Sequence, residues 1–339
     1  MNRVKKFITG IIFLVMLTVS LNVFAEDISV TLNGSNIVFE DAKPIIYNDR
    51  TLIPIRAVFE KANCYVDWDS KNNMAVIGTA MANKRKGNHV IVSSVEHSSV
   101  KEPFNFLEEQ GFRVTYLKVD SKGVVDLEEL KRELDDETIL VSVMYTNNEI
   151  GTVEPIEEIG HIVKSYNPDI VFHVDAIQAY GKFKIIPKRL GIDLLSVSGH
   201  KIHGPKGSGF LYIKDKTRIK PIIYGGGQQK GMRSGTENVP AIAGLGEAVR
   251  LIYNDDFDAK IDRLYELKDY FISQLEQLED VQVNSSKGRE SAPQIVSVSF
   301  RGVRAEVLLH ALEDKQIYVS SGSACSSNKP GLSNTLVAI

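Results

Sequence analysis

The chain has 339 residues, enough for two domains, with ordinary apolar content and mixed charge summing to −3. That balance leaves no basic field for nucleic acid, and Lys84-Arg85-Lys86 reads as a solvated helix end. The two cysteines, Cys64 and Cys325, are too few and too far apart for a disulfide framework or a zinc site.

Residues 1–25 carry Arg3, Lys5 and Lys6 ahead of an apolar run from Phe7 to about Val19, then Val23-Phe24-Ala25, an A-x-A-like cleavage site. This layout predicts a secretory signal peptide and hence export to the cell envelope or beyond. An uncleaved anchor is the alternative, although the run is short for a full span. From Glu26 to Ile77 short alternating strands are expected: Ile28–Leu32 turning at Asn33-Gly34 into Ile37–Phe39, then Pro44–Tyr47 turning at Asn48-Asp49 into Arg50–Pro54. Ile55 to Ala62 is expected as one short helix, with Tyr65–Trp68 and Met74–Ile77 as closing strands. Cys64 reads as a packed small hydrophobe.

At about Gly78 the pattern changes to strands alternating with helices. Strands are expected at Val90–Val92, Val114–Leu117, Ile139–Met144, Ile170–Val174, Ile192–Leu195 and Gly209–Ile213. Helices are expected at Lys101–Gln110, Leu127–Leu134 and Ile156–Tyr166. That alternation predicts βαβ units, a mostly parallel sheet and an α/β fold for residues 78–240. Four strand ends carry chemistry: His97, Asn148, Asp175, and the group Ser198, His200 and Lys201. Open α/β sheets place ligands at the carboxyl ends of their strands. A hydroxyl, an imidazole and an amine between glycines suit a phosphorylated carbonyl cofactor, Ser198 and His200 holding phosphate and Lys201 condensing with the aldehyde. Asp175 can keep a pyridinium nitrogen protonated, Gln178 can reach a phenolic oxygen, and His97 can stack on the ring. The glycine-rich loop from Tyr224 to Asn238 lets backbone approach a phosphate, and Thr236 adds a hydroxyl there.

Residues 241–339 read as a smaller α+β lobe. Helices are expected at Ala241–Tyr253, Ala259–Leu278 and Ala305–Leu312, and strands at Val281–Val283, Ile295–Phe300 and Tyr318–Ser320. The small, polar, glycine-bearing run Ser321–Gly331 then presents Cys325, a thiol in a loop and a candidate nucleophile.

Two resemblances follow from the motifs. "RTLIPIRAVFE" and "VDWD" within residues 26–77 resemble the amino-terminal, stalk-like domain of copper amine oxidases, a module that does not hold that family's copper. From Gly78 onward, "VEHSSV", "NNEIGTVEPI", "HVDAIQAYGK", "SVSGHKIHGPKGSGFLY", "GGGQQKGMRSGTEN" and "VSSGSACSS" resemble the cysteine desulfurases, pyridoxal-phosphate enzymes of the class V aminotransferase fold. The resemblance implies a large α/β domain and a small α+β domain. It makes Lys201 the cofactor lysine, Asp175 the pyridinium partner, Gln178 the phenolic-oxygen partner and His97 a stacking acid/base. Ser198, His200 and a partner subunit's counterpart of Thr236 would hold phosphate, Asn148 would help hold cofactor and substrate, and Cys325 would form a persulfide. It also implies L-cysteine as substrate, a homodimer, and a sulfur acceptor such as an iron–sulfur scaffold or a tRNA-thiolation enzyme. Two departures are expected to impair the reaction: no counterpart before Gly78 of the family's first segment with its phosphate-binding Thr, and none of its carboxyl-terminal part with a carboxylate-clamping Arg. An export signal is also at odds with a cytoplasmic family. Other readings are an exported, non-catalytic surface protein that uses the stalk-like module, and a selenocysteine lyase of the same fold.

Overall fold

The computed structural model describes residues 31–32, 35–36, 45–47, 50–52, 70–321 and 333–339. The chain divides into two compact units, Met1–Trp68 and Asp69–Ile339. In the first, β1 (Thr31–Leu32) pairs antiparallel with β2 (Ser35–Asn36), and β3 (Ile45–Tyr47) with β4 (Arg50–Leu52). The innermost pairs are Leu32 with Ser35 and Tyr47 with Arg50; the turns expected at Asn33-Gly34 and Asn48-Asp49 lie outside the described residues. The signal-like segment and Cys64 lie outside the described residues. No helix among the described residues is long and apolar enough to cross a membrane.

The second unit opens on helix. α1 (Ser70–Asn73) runs through a π-helical stretch, Met74–Gly78, into α2 (Thr79–Asn83). This corrects the strand expected at Met74–Ile77. Asn72, Ala75, Val76, Thr79, Ala80 and Asn83 are buried, which is the spacing of one helical face and not of alternation. The unit therefore starts at Asp69 and not at Gly78. Gly78 is required where it stands: a Cβ there would lie 2.5 Å from the Lys220 carbonyl oxygen. That close approach lets the Lys220 N–H donate to the Gly78 carbonyl at 2.9 Å.

Six strands form the central sheet: β5 (His89–Ser93), β6 (Arg113–Leu117), β7 (Thr138–Met144), β8 (Val171–Asp175), β9 (Leu194–Ser198) and β10 (Gly209–Ile213). Their order is β10-β9-β8-β7-β5-β6, with every neighbouring pair parallel except β10 and β9. Between them run α3 (Ser98–Glu109), α4 (Leu127–Glu133) and α5 (Ile156–Tyr166). Alternation splits the core in two. Ile91, Val141, Phe172 and Leu195 pack with Leu130 of α4 and Ile156, Ile159 and Val163 of α5. Val90, Val92, Leu140 and Leu194 pack instead with Ala75, Val76 and Ala80 and with Val100, Phe104 and Leu107 of α3. Helices thus cover both faces, which is why the strands read as continuous apolar runs.

One polar line crosses this core. His173 in β8 is fully buried, with Nδ1 2.8 Å from Ser142 Oγ and Nε2 2.9 Å from Ser196 Oγ. Burial lowers its pKa to about 3, so the ring is neutral between its two serines.

The remainder comprises α6 (Val239–Ile252), α7 (Phe257–Leu275), an antiparallel pair of β11 (Val281–Val283) and β12 (Val298–Phe300), α8 (Ala305–Glu313) and α9 (Asn334–Ala338). The strand expected at Tyr318–Ser320 is not formed. Its side chains have strand propensity, but the β11–β12 ladder takes no third strand among the described residues, and Tyr318 is 78% exposed.

Candidate active site

The parallel strands β5, β7, β8 and β9 all end on one edge of the sheet, where an open α/β fold offers a ligand crevice. Asp175 is the last residue of β8 and Ser198 the last of β9, and both are buried. Asp175 sits opposite Ser196, so Ser198 lies two residues further along the adjoining strand. Strand spacing and rise put the Asp175 and Ser198 Cα atoms about 8 Å apart. The pleat turns both towards the face covered by the π-helical stretch Met74–Gly78, α2 and α3. Beyond Ser198 the chain enters a 3₁₀ turn, Gly199–Ile202, which presents His200 and a half-buried Lys201. Ser198 Oγ lies 2.8 Å from His200 Nδ1.

Asp175 is held from two sides. Its Oδ1 accepts from the Ile177 backbone N–H at 2.9 Å, and its Oδ2 accepts from Asn72 Nδ2 at 2.9 Å. Asn72 Nδ2 also donates to Ser99 Oγ at 3.0 Å. Ser99 Oγ lies 2.8 Å from Nδ1 of His97, which caps the amino terminus of α3 by accepting the Ser99 backbone N–H at 3.1 Å. His97 and Asp175, predicted separately, are therefore joined through two residues that sequence reasoning missed. The helical spacing from Asn72 to Asn83 is the signal that could have placed Asn72. Ser99 carried none beyond its position two after a strand-end histidine.

Glu96, also missed, is buried just past the end of β5 and accepts from the Met144 backbone N–H at the end of β7. Burial and the neighbouring Asp175 carboxylate hold its carboxyl well above the usual range. Because Met144 pairs with Asp175 in register, Glu96 ties down the same edge of the sheet. Asn148 is half-buried in the turn after β7. That turn is organised by fully buried Asn147, whose Oδ1 accepts from the N–H groups of Glu149 and Ile150 and whose Nδ2 donates to the Val95 carbonyl. Gln178 is half-buried one turn past Asp175, and its carbonyl accepts from Gln294 Nε2 at 2.9 Å. Thr236 is exposed in the loop before α6. Cys325 lies outside the described residues. Ser333, eight residues later, donates to Glu149, and Asn147 Nδ2 donates to Thr335 Oγ1 at 3.4 Å. The far foot of the cysteine segment is thereby fastened to the turn after β7.

The donor set fits a phosphorylated pyridine aldehyde. A hydroxyl and an imidazole converge at the end of β9, a buried carboxylate waits at the end of β8, and an amine follows within one turn. Each supplies what one end of such a molecule requires.

Comparison with known proteins identifies the family. The family described as Aminotransferase class-V matches residues 69–336, and the Copper amine oxidase N-terminal domain matches residues 31–101. The cysteine desulfurase IscS of Dictyoglomus turgidum is 48% identical over 269 residues, covering 79% of this chain and 67% of that protein. Its counterpart from Clostridium botulinum is 45% identical over 270 residues, with the same coverage. Among solved structures, a NifS-like protein superposes with a TM-score of 0.73 at 36% identity, covering 79% of this chain and 70% of that one. A structure titled SspA in complex with cysteine gives 0.66 at 33% identity over 79% of this chain and 74% of that one. The chain carries a segment like the copper amine oxidase amino-terminal domain and, from Asp69 onward, belongs to the class-V aminotransferases and among them to the cysteine desulfurases.

Proposed function

We propose that the chain removes sulfur from L-cysteine, releasing L-alanine and leaving a persulfide on Cys325. The observation that carries this reading is the buried Asp175 carboxylate beside the Ser198–His200 pair at adjoining strand ends. When bound, pyridoxal phosphate supplies an electron sink for bonds breaking at the amino acid's Cα and Cβ. Ser198 Oγ and His200 hold its phosphate, with Thr236 of a second subunit as a further donor. Asp175 would keep the ring nitrogen protonated, and the Ile177 and Asn72 donors hold that carboxylate in its orientation. Gln178 would reach the phenolic oxygen, and Asn148 would help hold cofactor and substrate.

The Lys201 amine holds the cofactor at rest and moves the proton at the substrate's Cα. His97 would stack on the ring and act as acid/base. The Cys325 thiolate attacks the substrate sulfur: an S–S bond forms, the C–S bond breaks, and the carbon takes a proton. One thiol and one cysteine thus become one persulfide and one alanine with no outside oxidant. The persulfide sulfur then passes to an acceptor protein. SspA, a fold neighbour, has been solved in complex with cysteine, which supports cysteine as the molecule handled here. The amino-terminal cationic and apolar run supports an export signal on the same chain.

The test is incubation with pyridoxal phosphate, borohydride fixation and peptide mapping, alongside alanine release from cysteine. Cofactor fixed at Lys201 together with alanine release is expected. Binding without fixation at Lys201, or no alanine from any amount of cysteine, would count against the assignment.

A further inference from the structure

We propose that Asn72 and Ser99 are positioning residues that fix His97 as its Nε2–H tautomer and tie its ring to the Asp175 carboxylate. The inference rests on the placement of His97 and Asp175 in the cofactor site, but its central claim concerns the protein alone. A backbone N–H can only donate, and that of Ser99 points at His97 Nδ1 across 3.1 Å. Nδ1 is then the acceptor nitrogen, and the proton of the neutral imidazole sits on Nε2. Asn72 fixes the other end. The Asp175 carboxylate takes one of its amide protons at 2.9 Å, which decides which end of the amide faces it. The same NH₂ group gives its second proton to Ser99 Oγ at 3.0 Å. An oxygen that accepts from Asn72 has its own proton left for His97 Nδ1, 2.8 Å away.

The polarity of the line is therefore set at both ends by groups that cannot reverse. His97 also caps α3, so the plane of its ring is held by the helix terminus. Two consequences follow. Nε2 is the nitrogen through which His97 delivers a proton to a bound molecule. A change at Asn72 or Ser99 also reaches both the imidazole and the carboxylate, although neither residue has to touch the substrate.

Nitrogen-15 spectra of histidine-labelled protein without cofactor, at about pH 8.5 where free imidazole is neutral, read the tautomer directly. His97→Gln assigns the signals. A pyridine-like Nδ1 and a protonated Nε2 are expected. In Ser99→Ala, which changes one half-buried residue and keeps the backbone cap, the Nδ1 signal should shift while Nε2–H persists. Asn72→Ala should weaken pyridoxal phosphate binding by about tenfold, through loss of a hydrogen bond to a charged group. Ser99→Thr, which restores the hydroxyl, should return the Nδ1 signal to its parent position. A neutral His97 protonated on Nδ1, or an Nδ1 signal unmoved in Ser99→Ala, would overturn the inference. Failure of the parent protein to bind pyridoxal phosphate would instead overturn the proposed function and leave the tautomer result standing.

Discussion

Replacing Glu154 by glutamine should change how stability depends on pH more than it changes stability at any one acidic pH. Glu154 follows the turn after β7 and is buried; its Oε2 accepts the Val125 N–H at 3.0 Å, while Oε1 has no hydrogen-bond partner among the described residues. Burial raises its pKa to about 8, against the pull of the Val125 N–H and with a further push from Asp120. A carboxyl that ionises near 4.5 unfolded and near 8 folded keeps its proton only in the folded state across that interval. Unfolding then releases a proton, so stability is greatest below the unfolded value and falls as pH rises towards 8. Between pH 5 and pH 8 the linkage amounts to about 3.5 kcal/mol. Glutamine keeps the acceptor for Val125 and does not titrate. The parent-minus-variant difference, from urea unfolding at the two pH values, should therefore drop by about that much, a midpoint change on the order of 1 M. An unchanged difference would show that Glu154 is ionised in the folded protein and would refute the reasoning.

His173 gives the opposite slope: its folded pKa of about 3 lies below the unfolded 6.5, so stability is lost as pH falls through that range. His173→Gln should flatten the acid limb by about 1.4 kcal/mol per pH unit, measured by urea unfolding from pH 6.5 downward. Gly160→Ala in α5 should destabilise although alanine favours helix by about 1 kcal/mol. A Cβ there would lie 2.1 Å from the Leu190 carbonyl oxygen, and overpacking of that kind costs ~1–3 kcal/mol or more; a lower melting temperature checks it. Lys201→Ala should abolish borohydride-fixed cofactor, whereas Cys325→Ser should keep the fixed cofactor and abolish persulfide, read by mass spectrometry of the alkylated peptide.

Much of the large domain was legible because its strands are buried on both faces, and apolar runs of strand length between helical periods suit little besides a covered parallel sheet. The strand-end residues could be picked out for the same reason, since topology alone sends His97, Asp175 and Ser198 to one edge. Met74–Ile77 misled because a short apolar run with Val and Ile looks like strand until Asn72, Thr79 and Asn83 are counted into its period. Tyr318–Ser320 misled because propensity is local and pairing is not. The Ser142–His173–Ser196 line and the Asn72–Ser99 link were hidden, because each depends on neighbours far away in sequence. No pattern along the chain reports which serine a buried histidine will meet.

The turn that carries Lys201 is closed at its base by the innermost antiparallel pair, Ser198 with Gly209, and then by the Gly199 N–H donating to the Ser208 carbonyl at 2.8 Å. Gly204 donates back to Gly199 inside it, also at 2.8 Å. Exposing the Gly199 amide to solvent exchange requires β10 to peel from β9, so its proton should leave with the slow, sub-global opening of the sheet. α8 buries none of its residues and should exchange by fraying. A deuterium time course would therefore show the lysine turn ageing with the core and the outer helix ageing almost at once. Such a split describes a lysine turn as rigid as the sheet beneath it, beside a loosely held outer helix.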